Sequence, residues 1–220
     1  MVKKIKGLII MILEKIIKLF KKETTVRLYD QRDPISDKVA RQYISSGCVC
    51  YLLENLPIFN DRTLPALLGA DPEKATADYS ETDVPDWLQK VFTPRPTDDD
   101  IPLKDSKFEM FEYAVFRGDE KNGGDSDVCV FLDKSYLAPF SDNKPYDFYY
   151  RFFNKGVRAV VVMDGFFVQA VIMPIMPSGE KLARYKNFAS LVYTELCRIE
   201  SAAPQKSDSE ENDYIYEGEL

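Results

Sequence analysis

The sequence predicts an α+β fold, with an antiparallel sheet of four to five strands, helices mainly on one face, a long C-terminal amphipathic helix and an N-terminal basic amphipathic helix. Three observations support this class. Two apolar runs, 158–163 and 166–173, meet at Asp164-Gly165, a pair that favours a type I′ hairpin turn. Apolar residues recur at helical spacing over 178–202. Two more strand-like runs, 107–117 and 127–132, precede the hairpin.

The composition indicates one globular domain with extensions and excludes several chemistries. The chain has 220 residues, of which 45% are hydrophobic, and this is enough for a sizeable core. It has no histidine, which excludes Ser-His-Asp and Cys-His nucleophiles, histidine zinc sites and haem with a proximal histidine. No cofactor is therefore expected.

The four cysteines indicate a reducing, cytoplasmic setting. Cys48 and Cys50 are separated by one residue, which is the wrong spacing for a CxxC redox or zinc motif. No recognisable secretory signal precedes them. Reduced and mostly buried thiols are expected, with a redox or metal role for Cys48 and Cys50 as the alternative.

Charge is unevenly distributed along the chain. Residues 1–22 carry seven lysines and one glutamate, a net charge of +6, and residues 203–220 carry one lysine and six acids, a net charge of −5. Since the whole chain is −7, the body between them is −8. Such an acidic body argues against nucleic acid as a partner, because phosphate binding needs a basic face.

This charge distribution suggests three regions. Residues 1–22 form a basic amphipathic helix, and residues 23–202 form a single α+β domain with a proline-rich acidic lobe at 57–106. Residues 203–220 form an acidic tail that is expected to be disordered.

Residues 1–22 are expected to contact an anionic membrane surface as an interfacial helix. The apolar face of the helix comprises Ile5, Leu8, Ile9, Ile12, Leu13, Ile16, Leu19 and Phe20, and the basic residues are Lys3, Lys4, Lys18, Lys21 and Lys22. The uninterrupted apolar run, 7–13, is far shorter than the roughly 20 residues that a spanning helix needs. One alternative is a helix that docks on this domain or on another chain, and another is a short signal anchor.

Shorter elements can also be predicted. Residues 23–34 are a polar connector or short edge strand, and a helix capped by Ser36 continues to about Asn55. Two helices begin at Asp71-Pro72 and near Asp83 within the lobe. The aromatic run 146–154 is a short helix or bent strand that covers one end of the sheet.

Candidate catalytic residues are few, since no phosphate-binding glycine loop, G-x-S-x-G motif or EF-hand is present. Weak candidates for a divalent metal site are Asp98, Asp99, Asp100, Asp125, Asp127 and Asp133. Hydrated loops are the alternative reading of these residues. Glu109 and Glu112 would face opposite ways on a strand, which is unsuitable for a pair of catalytic carboxylates.

Together these patterns favour a non-enzymatic interaction or adaptor protein that associates peripherally with the cytosolic face of a membrane and binds a protein partner or a second copy. The alternatives are a divalent-metal-dependent enzyme and an acidic chaperone or immunity-type inhibitor. The order of elements resembles secretion-chaperone-like and roadblock or profilin-like folds, which implies partner binding, often with dimerisation. Because both strands of the 158–173 hairpin are apolar on both faces, the second face should meet residues 1–22, the lobe or another copy.

Overall fold

The computed structural model describes residues 13–54, 56–69, 78–94, 96–110, 112–125, 127–140, 145–154, 157–175, 194 and 198. The chain divides into two compact units, Met1–Met176 and Pro177–Leu220. In the second unit the described residues are Thr194 and Arg198, both helical. All the described strands belong to the first unit.

Ten strands form one mixed sheet, so the predicted antiparallel sheet of four to five strands is wrong. Their order across the sheet is β4-β1-β2-β3-β10-β9-β8-β5-β6-β7. The β1–β4 pair is parallel and the other pairs are antiparallel. The strands are β1 (Thr25–Arg32), β2 (Val39–Ser45), β3 (Val49–Leu52), β4 (Asp78–Asp83), β5 (Ile101–Met110), β6 (Tyr113–Gly118), β7 (Cys129–Asp133), β8 (Asp147–Asn154), β9 (Val157–Asp164) and β10 (Phe167–Ile172).

The described helices are short, and a long C-terminal helix is not seen among the described residues. Its predicted range, 178–202, lies outside them except for Thr194 and Arg198. The tail 203–220 and the helix start at Asp71-Pro72 also lie outside them. The helices are α1 (residues 13–20), α2 (Thr63–Leu68), α3 (Asp86–Val91) and α4 (Lys134–Leu137).

The predicted hairpin is the centre of the sheet, as β9 and β10. Its strands are buried on both faces, which is why their sequence is apolar throughout. The turn differs from the predicted type I′: positive φ, 58°, occurs at Gly165, the first of the two loop residues. A type II′ turn places glycine there.

Each face of the sheet carries its own apolar core, and the described helices are found on both faces. Alternate residues of β9 point to the two sides, Val160 and Val162 to one core and Val161 and Met163 to the other. The first core is covered by α1 and α2, and the second by α3 of the proline-rich lobe. Residues 13–20 and the lobe are thus two of the three partners expected for the apolar strands.

Residues 36–55 were expected to be helical, but they form β2 and β3. Tyr43 and Ile44 are consecutive and buried in opposite cores, which is possible for a strand and not for a helix with one buried face. Gly47 takes a positive φ of 87° in the connection between the strands. Residues 25–32 are also more than a connector, since β1 lies inside the sheet between β4 and β2.

The other short predictions are partly right. The helix expected near Asp83 is present as α3, and the aromatic run 146–154 contains β8, which settles the choice between helix and strand. The single strand expected over 107–117 is instead a hairpin of β5 and β6.

The sheet curls so that its last strand approaches its middle. The backbone N–H of Ile175, just after β10, donates to the carbonyl of Phe131 in β7 at 2.9 Å. Leu132 of β7, Phe116 of β6 and Ile172 of β10 therefore share the first core, on the concave side. α4 follows β7 directly, so the curl also determines where α4 lies.

Candidate functional site

α1 is attached to the concave side of the sheet by two side chains. Ile16 and Phe20 are four residues apart, and therefore lie on one helix face, and both are buried in the first core. The Phe20 ring meets the Tyr51 ring edge-on, with centroids 6.1 Å apart. Leu19 packs at the margin of the same core. Ile16 and Phe20, which belong to the predicted membrane-contacting set, contact protein in this structure.

The rest of the predicted membrane-contacting set remains a prediction. Leu13 is half-buried, and Lys18, Lys21 and Lys22 are exposed. The other members, Lys3, Lys4, Ile5, Leu8, Ile9 and Ile12, lie outside the described residues.

A groove of about 330 Å³ separates α1 from α4. Its basic wall is formed by Lys15 and Lys18, three residues apart on one side of α1, and by Lys22 in the turn that follows the helix. Leu19 and Ala138 contribute apolar surface. The groove therefore lies where the basic segment joins the acidic body.

The acidic wall of the groove consists of Asp133, Ser135 and Tyr136 together with Glu23, which directly follows Lys22 in the chain. Asp133 caps α4, since its Oδ1 accepts from the backbone N–H of Ser135 at 2.8 Å and from the Ser135 hydroxyl at 2.6 Å. Burial raises the pKa of Glu23, and the negative charge of Asp133 raises it further. The two carboxyl groups are thus close enough to repel each other when ionised.

Tyr136 connects this wall to the sheet. Its backbone carbonyl accepts a hydrogen bond of 2.7 Å from the Tyr51 hydroxyl, which fixes α4 relative to β3. Burial raises the pKa of the Tyr136 phenol, and the charges of Cys48, Glu23 and Asp133 add to the effect. The phenol therefore stays protonated at neutral pH.

A second, larger groove of about 510 Å³ lies on the other side of α4, toward the β5–β6 hairpin. Its floor is apolar, and its rim carries two ion pairs of 2.8 Å, Lys107–Asp105 and Lys134–Glu109. Lys107 has a positive φ of 61°, in an irregular part of β5. The apolar side chains are those of Ala114, Phe116, Leu137, Ala138, Phe140 and Phe148.

The six aspartates considered for a metal site are not brought together. Asp98 and Asp99 are exposed. Asp125 accepts from the backbone N–H of Asp127 at 3.0 Å within an exposed turn, and Asp133 caps α4. Across the described ranges, no three side chains of the ligating types are grouped so that they could hold a metal ion.

Asp100 belongs instead to a buried ion pair that the sequence did not reveal. The Arg151 guanidinium binds its carboxylate through Nε at 2.9 Å and Nη2 at 2.7 Å. Nη1 of Arg151 donates to the carbonyls of Val91 and Thr93, at the C-terminal end of α3. The Arg151 side chain is 3% exposed and that of Asp100 is 0% exposed. In the sequence, Arg151 is the one basic residue within the aromatic run 146–154, and this is the signal that could have pointed to a buried partner.

Comparison with known proteins identifies no relative, since no family model, curated protein or solved structure matches this chain. Within the part of the chain that the structure describes, no helix has the length and apolar character needed to span a bilayer. A functional assignment therefore depends on the residues that form the two grooves and on the elements that hold them.

Proposed function

We propose that the protein is a non-enzymatic interaction protein that associates peripherally with the cytosolic face of an anionic membrane and binds a protein partner through its acidic body. The observation that carries the proposal is the docking of α1. Ile16 and Phe20 hold the helix on the sheet, while Lys18, Lys21 and Lys22 remain exposed. A basic surface is thus attached rigidly to a body of opposite charge.

In this proposal, residues 1–12 are the part of the N-terminal segment 1–22 that contacts lipid. Since Ile16 and Phe20 pack on protein, the apolar residues available for a bilayer are those of residues 1–12, namely Ile5, Leu8, Ile9 and Ile12. Lysines close to an anionic surface contribute about 1 kcal/mol each. The aliphatic side chains would insert into the bilayer, and the lysines of residues 1–22 would be attracted to its anionic headgroups.

The charge of the body favours a basic partner over a second copy. The body carries −8, and two such surfaces repel each other at physiological salt. An anionic membrane also repels it, so the basic segment would face the bilayer and the acidic surface would face away. A partner with a basic face would meet that surface with complementary charge.

The three described cysteines, Cys48, Cys50 and Cys129, are free thiols, which supports a reducing compartment. An acidic chaperone or inhibitor is the second candidate, because Ile16 and Phe20 do pack on protein. In that case residues 1–12 would also contact protein, and binding to vesicles would not depend on them.

Co-sedimentation with vesicles tests the proposal. The full chain is compared with a chain that starts at Leu13, because a start at Glu23 would remove Ile16 and Phe20 from the core. We expect the full chain to bind anionic vesicles and not neutral ones, and the shortened chain to bind at least about tenfold more weakly. Equal partitioning of the two chains on anionic vesicles would overturn the membrane assignment, and circular dichroism checks that both are folded.

A further inference from the structure

The groove between α1 and α4 carries side chains of both charges. Lys18 and Lys22 line it, and so do Glu23, which directly follows Lys22, and Asp133. Within the described part of the chain neither lysine forms an ion pair, and Glu23 forms none. Both charges are therefore present in one groove without an ion pair between these residues.

The acidic wall favours a cation that can donate hydrogen bonds. Glu23 and Asp133 repel each other, and this repulsion contributes to the raised pKa of Glu23. A positive group between them would relieve the repulsion. The wall offers two carboxylates and one aromatic ring, that of Tyr136, whereas quaternary ammonium groups are bound by cages of several aromatic rings. A primary ammonium group, which donates to carboxylates, suits this wall better.

The basic wall favours a phosphate. Lysine binds phosphate as a point charge, and none of the described residues that line this groove is an arginine, whose fork would select a planar carboxylate. The volume, about 330 Å³, lies at the small end of the range of roughly 300–1,000 Å³ that is usual for small-molecule sites. The complementary ligand is thus small and carries both charges.

We propose that this groove binds a small zwitterion consisting of a phosphate and a primary ammonium group, as in phosphoethanolamine. Lys18 and Lys22 bind the phosphate, and Glu23 and Asp133 bind the ammonium group. The ligand is either a free molecule or the headgroup of a lipid. The headgroup case rests on the membrane association proposed above, whereas binding of the free molecule does not.

The first experiment is a titration of the full chain with O-phosphoethanolamine, followed by amide NMR. We expect shifts concentrated at residues 15–23 and 133–138. Phosphocholine, inorganic phosphate and ethanolamine should each bind roughly tenfold more weakly, because each lacks one set of contacts. Equal binding by inorganic phosphate, or shifts outside these residues, would overturn the proposal.

Variants separate binding from folding. Lys18→Gln/Lys22→Gln and Glu23→Gln should each weaken O-phosphoethanolamine binding roughly fivefold or more. The matched controls are Lys38→Gln/Lys121→Gln and Glu54→Gln, which alter exposed residues elsewhere and should leave binding unchanged. Glu23→Gln is expected to stabilise the fold at neutral pH, so weaker binding by this variant cannot come from unfolding. Unchanged binding by both groove variants would contradict the assignment.

Vesicles distinguish the source of the ligand. At a fixed anionic fraction, phosphatidylethanolamine is compared with phosphatidylcholine as the other lipid. Stronger binding to phosphatidylethanolamine, lost in Glu23→Gln, supports a lipid headgroup, and O-phosphoethanolamine binding without a lipid preference supports a free ligand. The absence of both overturns the inference, whereas a full chain that fails to bind any anionic vesicle overturns only the membrane function.

Discussion

Among single residues, Arg151 and Asp100 form a buried ion pair that constrains the fold. The arginine joins β8 to the end of α3 and to the loop before β5. A sequence cannot show this, because the partners are 51 positions apart and many surface loops contain an aspartate. The sequence indicates Asp100 as a possible metal ligand for the same reason, since an acidic run has the same composition whether it is solvated or buried.

Replacing Arg151 tests this constraint. Arg151→Met leaves the Asp100 carboxylate buried without a counter-charge, and we expect the free energy of unfolding to fall by about 3–5 kcal/mol in urea denaturation. The double variant Arg151→Met/Asp100→Leu should recover part of the loss. Arg158→Met is the control. The Arg158 Cζ atom lies 3.5 Å from the centroid of the Phe152 ring, and loss of this contact should lower the free energy of unfolding by about 1 kcal/mol. Equal losses for Arg151→Met and Arg158→Met would contradict the account.

Glu23 should affect stability in a pH-dependent way. Its pKa in the folded chain is raised above the ordinary 4.5, so the folded state prefers the protonated form. Its contribution is therefore fully present below the ordinary pKa and is lost as pH rises through the folded value. Glu23→Gln should raise the free energy of unfolding at pH 7, and the difference should vanish at and below about pH 4. An effect of the same size at both pH values, measured against Glu54→Gln, would point to a cause other than ionisation.

At the scale of elements, the sequence predicted the hairpin of β9 and β10 and the helix α3, and it failed for β2 and β3. The Asp164-Gly165 pair and Pro85 before α3 are local signals. They favour a turn and a helix start through their own backbone preferences, without distant contacts. The run 48–53 is apolar throughout, and a short apolar run fits a buried helix as well as a buried strand. Only the partners of β3, which are β2 and β10, make it a strand.

The docking of α1 was one of the alternatives open from the sequence, and it predicts a clear effect on stability. Phe20→Ala removes a fully buried ring that meets Tyr51, and we expect a loss of about 3–5 kcal/mol in the free energy of unfolding. The control is Lys21→Ala, because Lys21 directly follows Phe20 and is exposed. This change should alter the free energy of unfolding by less than about 0.5 kcal/mol. If both variants unfold at the same urea concentration, α1 does not pack on the sheet in solution.

For the whole molecule, the sequence indicated an apolar sheet and a segregated charge but not the size of the sheet. Ten strands form one sheet through pairings between distant segments, such as β3 with β10 and β5 with β8. These pairings depend on tertiary context and leave no periodic signal in either strand. The groove between α1 and α4 could not be predicted from the sequence for the same reason. Glu23 and Asp133 are distant in the chain and become neighbours only when the sheet curls.

In the proposed function, residues 1–22 are divided between a half that contacts lipid and a half that packs on the body. Paramagnetic broadening of isoleucine methyl signals by a spin-labelled lipid, in anionic bicelles, compares the same chemical group in both halves. We expect the methyl signals of Ile5, Ile9 and Ile12 to broaden, while the methyl signals of Ile16, which is 3% exposed, stay sharp. Broadening of Ile16 to the same extent as Ile12 would contradict this division.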